Sequence, residues 1–408
     1  MSISIAIIDF KSVLPWLNIS NAELICSIKN SFPDTTVKHI HHLANKNDFI
    51  TYDINIFHID YYTIGIANEL IADITSSAIS TKTKFMLYGY GVFYDDSFNL
   101  IDERIEIFPK DDLNPVLERL SVILHSNLTC YTNLIADYSL LPIESIQNYP
   151  IRTTLGCVNS CPFCEKSLNG IQQKSIKEIE KEILLAKELY NIKALTFWDS
   201  SMNFSIVRFR NILKLLQKIG LPWRSNGMLY KNLTRDLICE MQDSGCYLTS
   251  LGVESTDITV NSGKTFDLNL YSNVCTNLKK YGILNLSFFI IGLENDTYSK
   301  SLKTIKDAPN FEIDVCLFAS AIAYPRTELY KHVIDCGGLF LVDYRNINLQ
   351  SKNIIHFETP YFRKTEREKV LKLSESFNIN NKATRKQTED RFGFPFTSSA
   401  EYNIKWKD

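Results

Sequence analysis

The sequence predicts an α/β protein in three parts. A doubly wound domain covers residues 1–125, a partial barrel of six strand–helix repeats covers 151–330, and a small extension covers 331–408. Residues 126–150, with Pro142 and Pro150, read as the connector. Two observations carry this prediction. Short apolar runs alternate with segments of helical periodicity along most of the chain, as expected of parallel strands joined by crossover helices. The alternation restarts after residue 150, and its six repeats match part of a complete eight-fold barrel.

In the first part, Ile3 to Ile8 is a buried strand. Ser20 caps a helix running through Glu23, Leu24, Cys26 and Ile28 to Phe32, and Pro33 ends it. Thr36 to Leu43 and Asn55 to Ile59 read as strands, and 66–79 as a helix. Lys84 to Tyr88 is a strand leading into the turn Gly89-Tyr90-Gly91. Arg104 to Phe108 is the last strand, followed by a helix from Leu113 to Leu124. This order is Rossmann-like.

In the second part, Arg152 to Leu155 is the first strand. Ile176, Ile179, Ile183, Leu184 and Leu189 then recur at helical spacing over 175–190. The further strands are Ala194 to Trp198, Trp223 to Asn226, Leu248 to Val253, Leu284 to Ile291 and Val315 to Ala323. Helices over 205–219, 234–244, 269–281 and 298–306 separate them. The extension holds a charged helix at 364–376 and an irregular aromatic end.

Net charge is -2, from 44 basic and 46 acidic residues, which argues against a nucleic-acid surface. No apolar run reaches the roughly 18 residues of a membrane helix. Met1 to Phe10 carries no basic leader and is read as a strand, so a cytoplasmic location is expected. Of ten cysteines, seven are scattered and read as small buried apolar residues. His39, His41 and His42 lie near a strand end; without an acidic or thiol partner nearby in sequence they are assigned no metal.

The remaining cysteines form Cys157-Val-Asn-Ser-Cys161-Pro-Phe-Cys164, three thiols within eight residues. A loop of this kind can point every sulfur at one compact cofactor. A [4Fe-4S] cube is usually held by four thiolates, so three would leave one iron open to a chelating substrate. A zinc site wants a fourth Cys or His nearby, and no His occurs between 126 and 331. Spacing alone leaves iron–sulfur cluster, zinc and buried thiols open.

The C-x3-C-x2-C spacing, with Phe163 before the last Cys, resembles the radical S-adenosylmethionine superfamily, and the resemblance covers roughly residues 148–335. It implies that Cys157, Cys161 and Cys164 hold the cluster. The open iron then takes the amino and carboxylate groups of S-adenosylmethionine, and reductive cleavage yields a 5′-deoxyadenosyl radical. Thr196-Phe-Trp-Asp199 is similar to the second-strand exit. Leu251-Gly-Val-Glu254-Ser255 resembles the fourth-strand motif facing the ribose and methionine, and Phe289-Ile-Ile-Gly292-Leu-Glu294 the segment along the adenine. Here Glu294-Asn-Asp-Thr297 replaces the frequent Pro-Gly-Glu-Thr. Ala323-Tyr-Pro325-Arg-Thr327 resembles the sixth-strand exit. Arg224 and Asn226 become candidate cofactor contacts by their place at one barrel end. The plain alternatives are helix caps for Asp199 and Glu254, and solvated side chains for Arg224 and Asn226.

A doubly wound domain before such a barrel resembles the subgroup with a cobalamin-binding domain. That implies cobalamin as a cofactor, with Asn18 to Ser20 and Tyr88 to Phe93 as expected contacts. The loop motif Asp-x-His-x-x-Gly is absent; the chain reads Asp9-Phe-Lys-Ser-Val. Trp16, Tyr88 and Tyr90 are the side chains that could block the strand ends. A degenerate domain serving as scaffold or substrate dock is the alternative. The expected activity is functionalisation of an unactivated C–H bond, first as methyl transfer, alternatively as cobalamin-free rearrangement, epimerisation or cross-linking. Outside the enzyme class stands an iron–sulfur electron carrier or redox sensor. Expected partners are a small-molecule or peptide substrate and an electron donor such as a flavodoxin or ferredoxin. Cys316 and Cys336 stand alone, so no auxiliary cluster is expected.

Overall fold

Runs of β-branched and aromatic residues build two separate parallel sheets. The computed structural model describes residues 3–10, 17–43, 51–60, 63–76, 82–89, 91–92, 102–109, 112–126, 128, 135–164, 170–343, 345, 354–377, 386, 389–390 and 404–407. One compact unit comprises Met1–Glu144, Tyr344–Leu349 and Lys405–Asp408, and the other Ser145–Asp343 and Gln350–Ile404.

In the first unit, β1 (Ser4–Phe10), β2 (Thr36–Leu43), β3 (Ile54–His58), β4 (Lys84–Gly89) and β5 (Ile105–Pro109) pair in the order β2-β1-β3-β4-β5. Alternation along β1 sends Ile5 and Ile7 to one face and Ala6 and Ile8 to the other. Leu24, Ile25 and Ile28 of the helix Ile19–Ser31 cover the first face, with Val116 and Leu117 of the helix Asn114–Ile123. Ile64, Ile71 and Ile74 of the helix Ile64–Ser76 cover the second. Helices on both faces make the sheet doubly wound, with its switch in strand order between β1 and β3. Asn18, not Ser20, caps the first helix: its side chain accepts the Asn21 N–H, and Ser20 lies within the first turn. Both residue types cap well, and the helical backbone simply begins one residue after Asn18.

In the second unit the first strand is not 152–155. After β6 (Ile143–Ile146) comes β7 (Asn148–Ile151), which pairs with β10 and includes Pro150. β7 is an edge strand, where a proline's missing N–H breaks no ladder. Residues 143–146 and 148–150, read as connector, are thus strand. Thr154–Leu155 (β8) instead pairs antiparallel with Gln172–Gln173 (β9), closing the cysteine loop at its base. β10 (Ala194–Phe197), β11 (Trp223–Met228), β12 (Cys246–Glu254), β13 (Leu284–Ile291) and β14 (Val315–Ser320) follow, each beside its predecessor, in the order β14-β13-β12-β11-β10-β7. This is an open, partial barrel of six strands.

Its helices carry ordinary start signals. Ser175 and Glu178 form a capping box, and Ser205, Thr234, Asp267, Thr297 and Thr327 cap the later ones. In the extension, β15 (Leu339–Phe340) pairs with β16 (Phe357–Glu358). The helix Lys364–Ser374 packs through Val370 and Leu371 against Ile291, Ile305 and Phe362. No described helix is long and apolar enough to cross a membrane.

Candidate functional site

The cysteine loop begins at Gly156, whose φ of 87° turns the chain out of β8. Cys157 and Cys164 are half-buried and Cys161 is buried. Cys157 Sγ accepts the Asn159 N–H at 3.5 Å and lies 3.8 Å from Ser201 Oγ. The Cys161 carbonyl accepts the Cys164 N–H at 3.0 Å, and the Pro162 carbonyl accepts the Leu329 N–H at 3.0 Å. Phe163 packs with Val260, Ile290, Leu293 and Tyr330, so it anchors the loop over the last strands. Gly263 makes the close approach on the other side: a Cβ there would sit 2.7 Å from Cys161 Cα and Pro162 Cδ.

Asp199 is 2% exposed and turned toward the start of this loop. It accepts from Thr153 N–H at 3.2 Å, Thr153 Oγ1 at 2.7 Å and Thr154 Oγ1 at 2.5 Å. Arg208 completes the brace, donating to the Thr153 carbonyl at 3.1 Å and the Lys174 carbonyl at 3.0 Å. Asp199 therefore caps no helix; it pins the strand-to-loop junction. Arg224 is buried rather than solvated, and its Nη2 donates to Asn226 Oδ1 at 2.7 Å. Two positions apart on β11, the two side chains share a face.

Glu254 ends β12 with φ 64°, a left-handed conformation that costs a non-glycine residue about 1–2 kcal/mol. Its Oε1 meets Lys264 Nζ at 2.6 Å. Glu254 is thus an ion-paired strand end, and Asp267 caps the following helix in its place. Ser255 turns away: its hydroxyl lies 3.2 Å from Thr304 Oγ1 and accepts the Asp257 N–H. Gly292, with φ 93°, donates its N–H to Asp296 Oδ2 at 2.8 Å. The structure thus groups the cysteine loop with Asp199, Glu254 and Gly263. Ser255 points elsewhere.

Lys264, Gly263, Arg208 and Thr153 were not singled out from sequence. Ser262-Gly263-Lys264 follows Glu254 closely, but a lysine in a loop looks the same whether solvated or paired. Lys264 also lines a cavity of about 290 Å³ with Asn159, Met228, Tyr230, Gly252 and Thr265. Burial pushes the Cys161 thiol up to about 11, with the Lys264 charge acting against it. Burial alone would lower the Lys264 ammonium; Glu254 and Cys161 outweigh it and raise it. Ser250 Oγ, on the Glu254 face of β12, is buried without a hydrogen-bond partner.

No three His, Cys, Asp or Glu among the described residues converge closely enough for a single metal ion. A cube suits the loop better, because each thiolate takes a different iron and the ligands stand apart. The three cysteines, one loop and a glycine cradle fit such a group.

At the strand ends of the first unit, His39 is buried and its Nε2 lies 2.7 Å from Asp9 Oδ2, so it is not a solvated histidine. Asn21 bonds the same carboxylate and accepts Tyr88 OH at 2.6 Å. Tyr88 is fully buried, packed with Leu24, Ile25 and Ile28, and does not project from the strand end. Asn18 Nδ2 meets His58 Nδ1 at 3.0 Å. Trp16, Tyr90, Phe93 and the side chains of His41 and His42 lie outside the described residues.

Residues 151–308 match the Radical SAM superfamily model. An uncharacterised methyltransferase of Pyrococcus horikoshii is 25% identical over 274 residues, 64% of this chain and 59% of its own length. The bacteriochlorophyllide d C-12(1)-methyltransferase of Chlorobaculum tepidum is 26% identical over 200 residues, covering 46% of this chain and 43% of its own length. The chain therefore spans less than two thirds of these relatives. Among solved structures, the radical S-adenosylmethionine methyltransferase TsrM of Kitasatospora setae, with tryptophan and a SAM analogue bound, aligns at TM-score 0.67 and 12% identity. The alignment covers 92% of this chain and 89% of that one. TsrM with cobalamin and a [4Fe-4S] cluster aligns at 0.64 and 13% identity, over 84% and 80%. At that identity the likeness is one of fold, and it includes both sheets. Residues 151–308, which carry the cysteine loop at the head of an open six-stranded barrel, are thus the part of the chain that matches the radical S-adenosylmethionine superfamily.

Proposed function

We propose that this chain is a radical S-adenosylmethionine methyltransferase acting on an unactivated carbon, with cobalamin held by the amino-terminal unit. One observation carries the reading: three cysteines share one end of the second sheet with the Glu254–Lys264 ion pair. When bound, the cluster supplies an electron that cleaves the sulfonium of S-adenosylmethionine and so generates a radical able to attack a C–H bond. Cys157, Cys161 and Cys164 hold that cluster. Asp199 and Arg208 keep the loop's entry rigid. Glu254 and Lys264 offer one carboxylate and one ammonium to a zwitterionic ligand, complementary to its amino and carboxylate groups. The cavity beside Lys264 keeps water from the reacting atoms once filled. A flavodoxin or ferredoxin fits as electron donor. In the first unit, the β1–β3 switch is where an open sheet binds its ligand.

The test is anaerobic reconstitution of protein produced with cobalamin, followed by dithionite and S-adenosylmethionine. Tight cobalt content, a cobalamin visible spectrum and turnover of S-adenosylmethionine are expected. Turnover without cobalt would move the enzyme to a rearrangement, epimerisation or cross-link. An intact cluster with no turnover at all would leave an electron carrier.

A further inference from the structure

Arg367 is 1% exposed in the helix Lys364–Ser374. Its guanidinium lies between two rings, 4.3 Å from the Phe357 centroid and 4.9 Å from that of Phe362. Nε donates to the Phe362 carbonyl at 3.2 Å, while Nη1 is buried without a partner. The group abuts Gly292: a Cβ at that position would overlap Nη1 and Cζ. Gly292 in turn gives its N–H to Asp296, a buried carboxylate that also accepts from Ser301 Oγ at 2.6 Å and Thr297 N–H at 2.8 Å. Opposite charges thus bracket the turn after β13.

An aliphatic side chain would fill this slot without the cost of a desolvated cation. The planar group does something an aliphatic one does not: it stacks between rings and presents a flat, donor-bearing edge to a backbone that has no side chain. We propose that Arg367 is a positioning residue for S-adenosylmethionine, setting from the carboxyl-terminal extension the backbone at the exit of β13 along which the adenine runs. This rests on the function proposed above. Burial drives the guanidinium down to about 10, still charged at neutral pH, and Asp296 supports that charge.

The experiment compares wild type, Arg367→Met and Arg367→Lys as reconstituted full-length protein. It measures iron content, the dissociation constant for S-adenosylmethionine, and turnover at saturating cofactor. Arg367→Met is expected to weaken binding about tenfold, the order of effect open to a residue that shapes a site without touching its ligand, with iron and saturated turnover unchanged. Arg367→Lys keeps the charge but loses the planar stack, so it should weaken binding nearly as much as Arg367→Met. Wild-type affinity in Arg367→Met overturns the proposal. So does loss of iron and fold in both variants, which would make Arg367 a stability residue alone. Failure of wild type itself to bind S-adenosylmethionine would instead overturn the proposed function.

Discussion

Replacing Lys264 by Met separates two roles of the Glu254–Lys264 pair. The contact is 2.6 Å, and the Lys264 and Glu254 side chains are 23% and 7% exposed. At an effective dielectric of about 20 the gross attraction at that distance is about 6 kcal/mol, most of it offset by desolvation. Removing one partner of a buried pair costs about 3–5 kcal/mol because the other charge is stranded. Lys264 keeps some solvent, which places the loss nearer 2–3 kcal/mol by the same argument. The methionine retains most of the packing of the lysine stem. If the pair also receives S-adenosylmethionine, the variant loses a charged contact worth about 1.5–3 kcal/mol, or about 10- to 150-fold in affinity. Chemical unfolding gives the first number, and anaerobic equilibrium dialysis with iron analysis gives the second. The double variant Glu254→Gln/Lys264→Met strands no charge, so it should regain stability yet still bind poorly. A Lys264→Met protein that is less stable but binds S-adenosylmethionine like wild type would refute the reasoning and leave Lys264 a structural counter-ion.

Ala at Cys157, Cys161 or Cys164 should abolish the iron–sulfur absorbance, whereas Ala at Cys239, Cys246 or Cys275 should leave it intact; iron and sulfide analysis decides. Asp199→Ala strands the Thr153 N–H and hydroxyl and should cost about 2–3 kcal/mol while lowering iron retention, read by unfolding and by iron loss to a chelator. Glu254→Ala should weaken S-adenosylmethionine binding with iron content near normal, as dialysis on reconstituted protein will show. Burial works to raise the Asp137 carboxyl, but Ser139 and Lys29 outweigh it and hold it below its usual range. Its stabilising effect is therefore present above about pH 4 and is lost as pH falls through the depressed value. Asp137→Asn should flatten the acid limb of the stability curve by less than about 1 kcal/mol, since Lys29 is 37% exposed.

The alternation of apolar runs and helical periods was enough to foresee both parallel sheets, because each strand's burial depends on its own residues and their near neighbours. The cysteine triad stood out for the same reason: its three thiols lie within eight residues, although their spacing alone left iron–sulfur cluster, zinc and buried thiols open. The start of the barrel was not. Pro150 looks like a connector residue until an edge strand is there to accommodate it. The directions of the site's polar groups were also beyond the sequence. Asp199 reaches 46 positions back to Thr153, Lys264 reaches 10 back to Glu254, and Arg367 packs on Gly292 from another part of the chain. Glu254 and Ser255 are adjacent, yet the left-handed backbone at Glu254 sends one to Lys264 and the other to Thr304. Periodicity encodes which face of an element is buried. Which side chains meet at the strand ends is set by loop conformation and by contacts distant in sequence, and those exist only once the sheet has assembled.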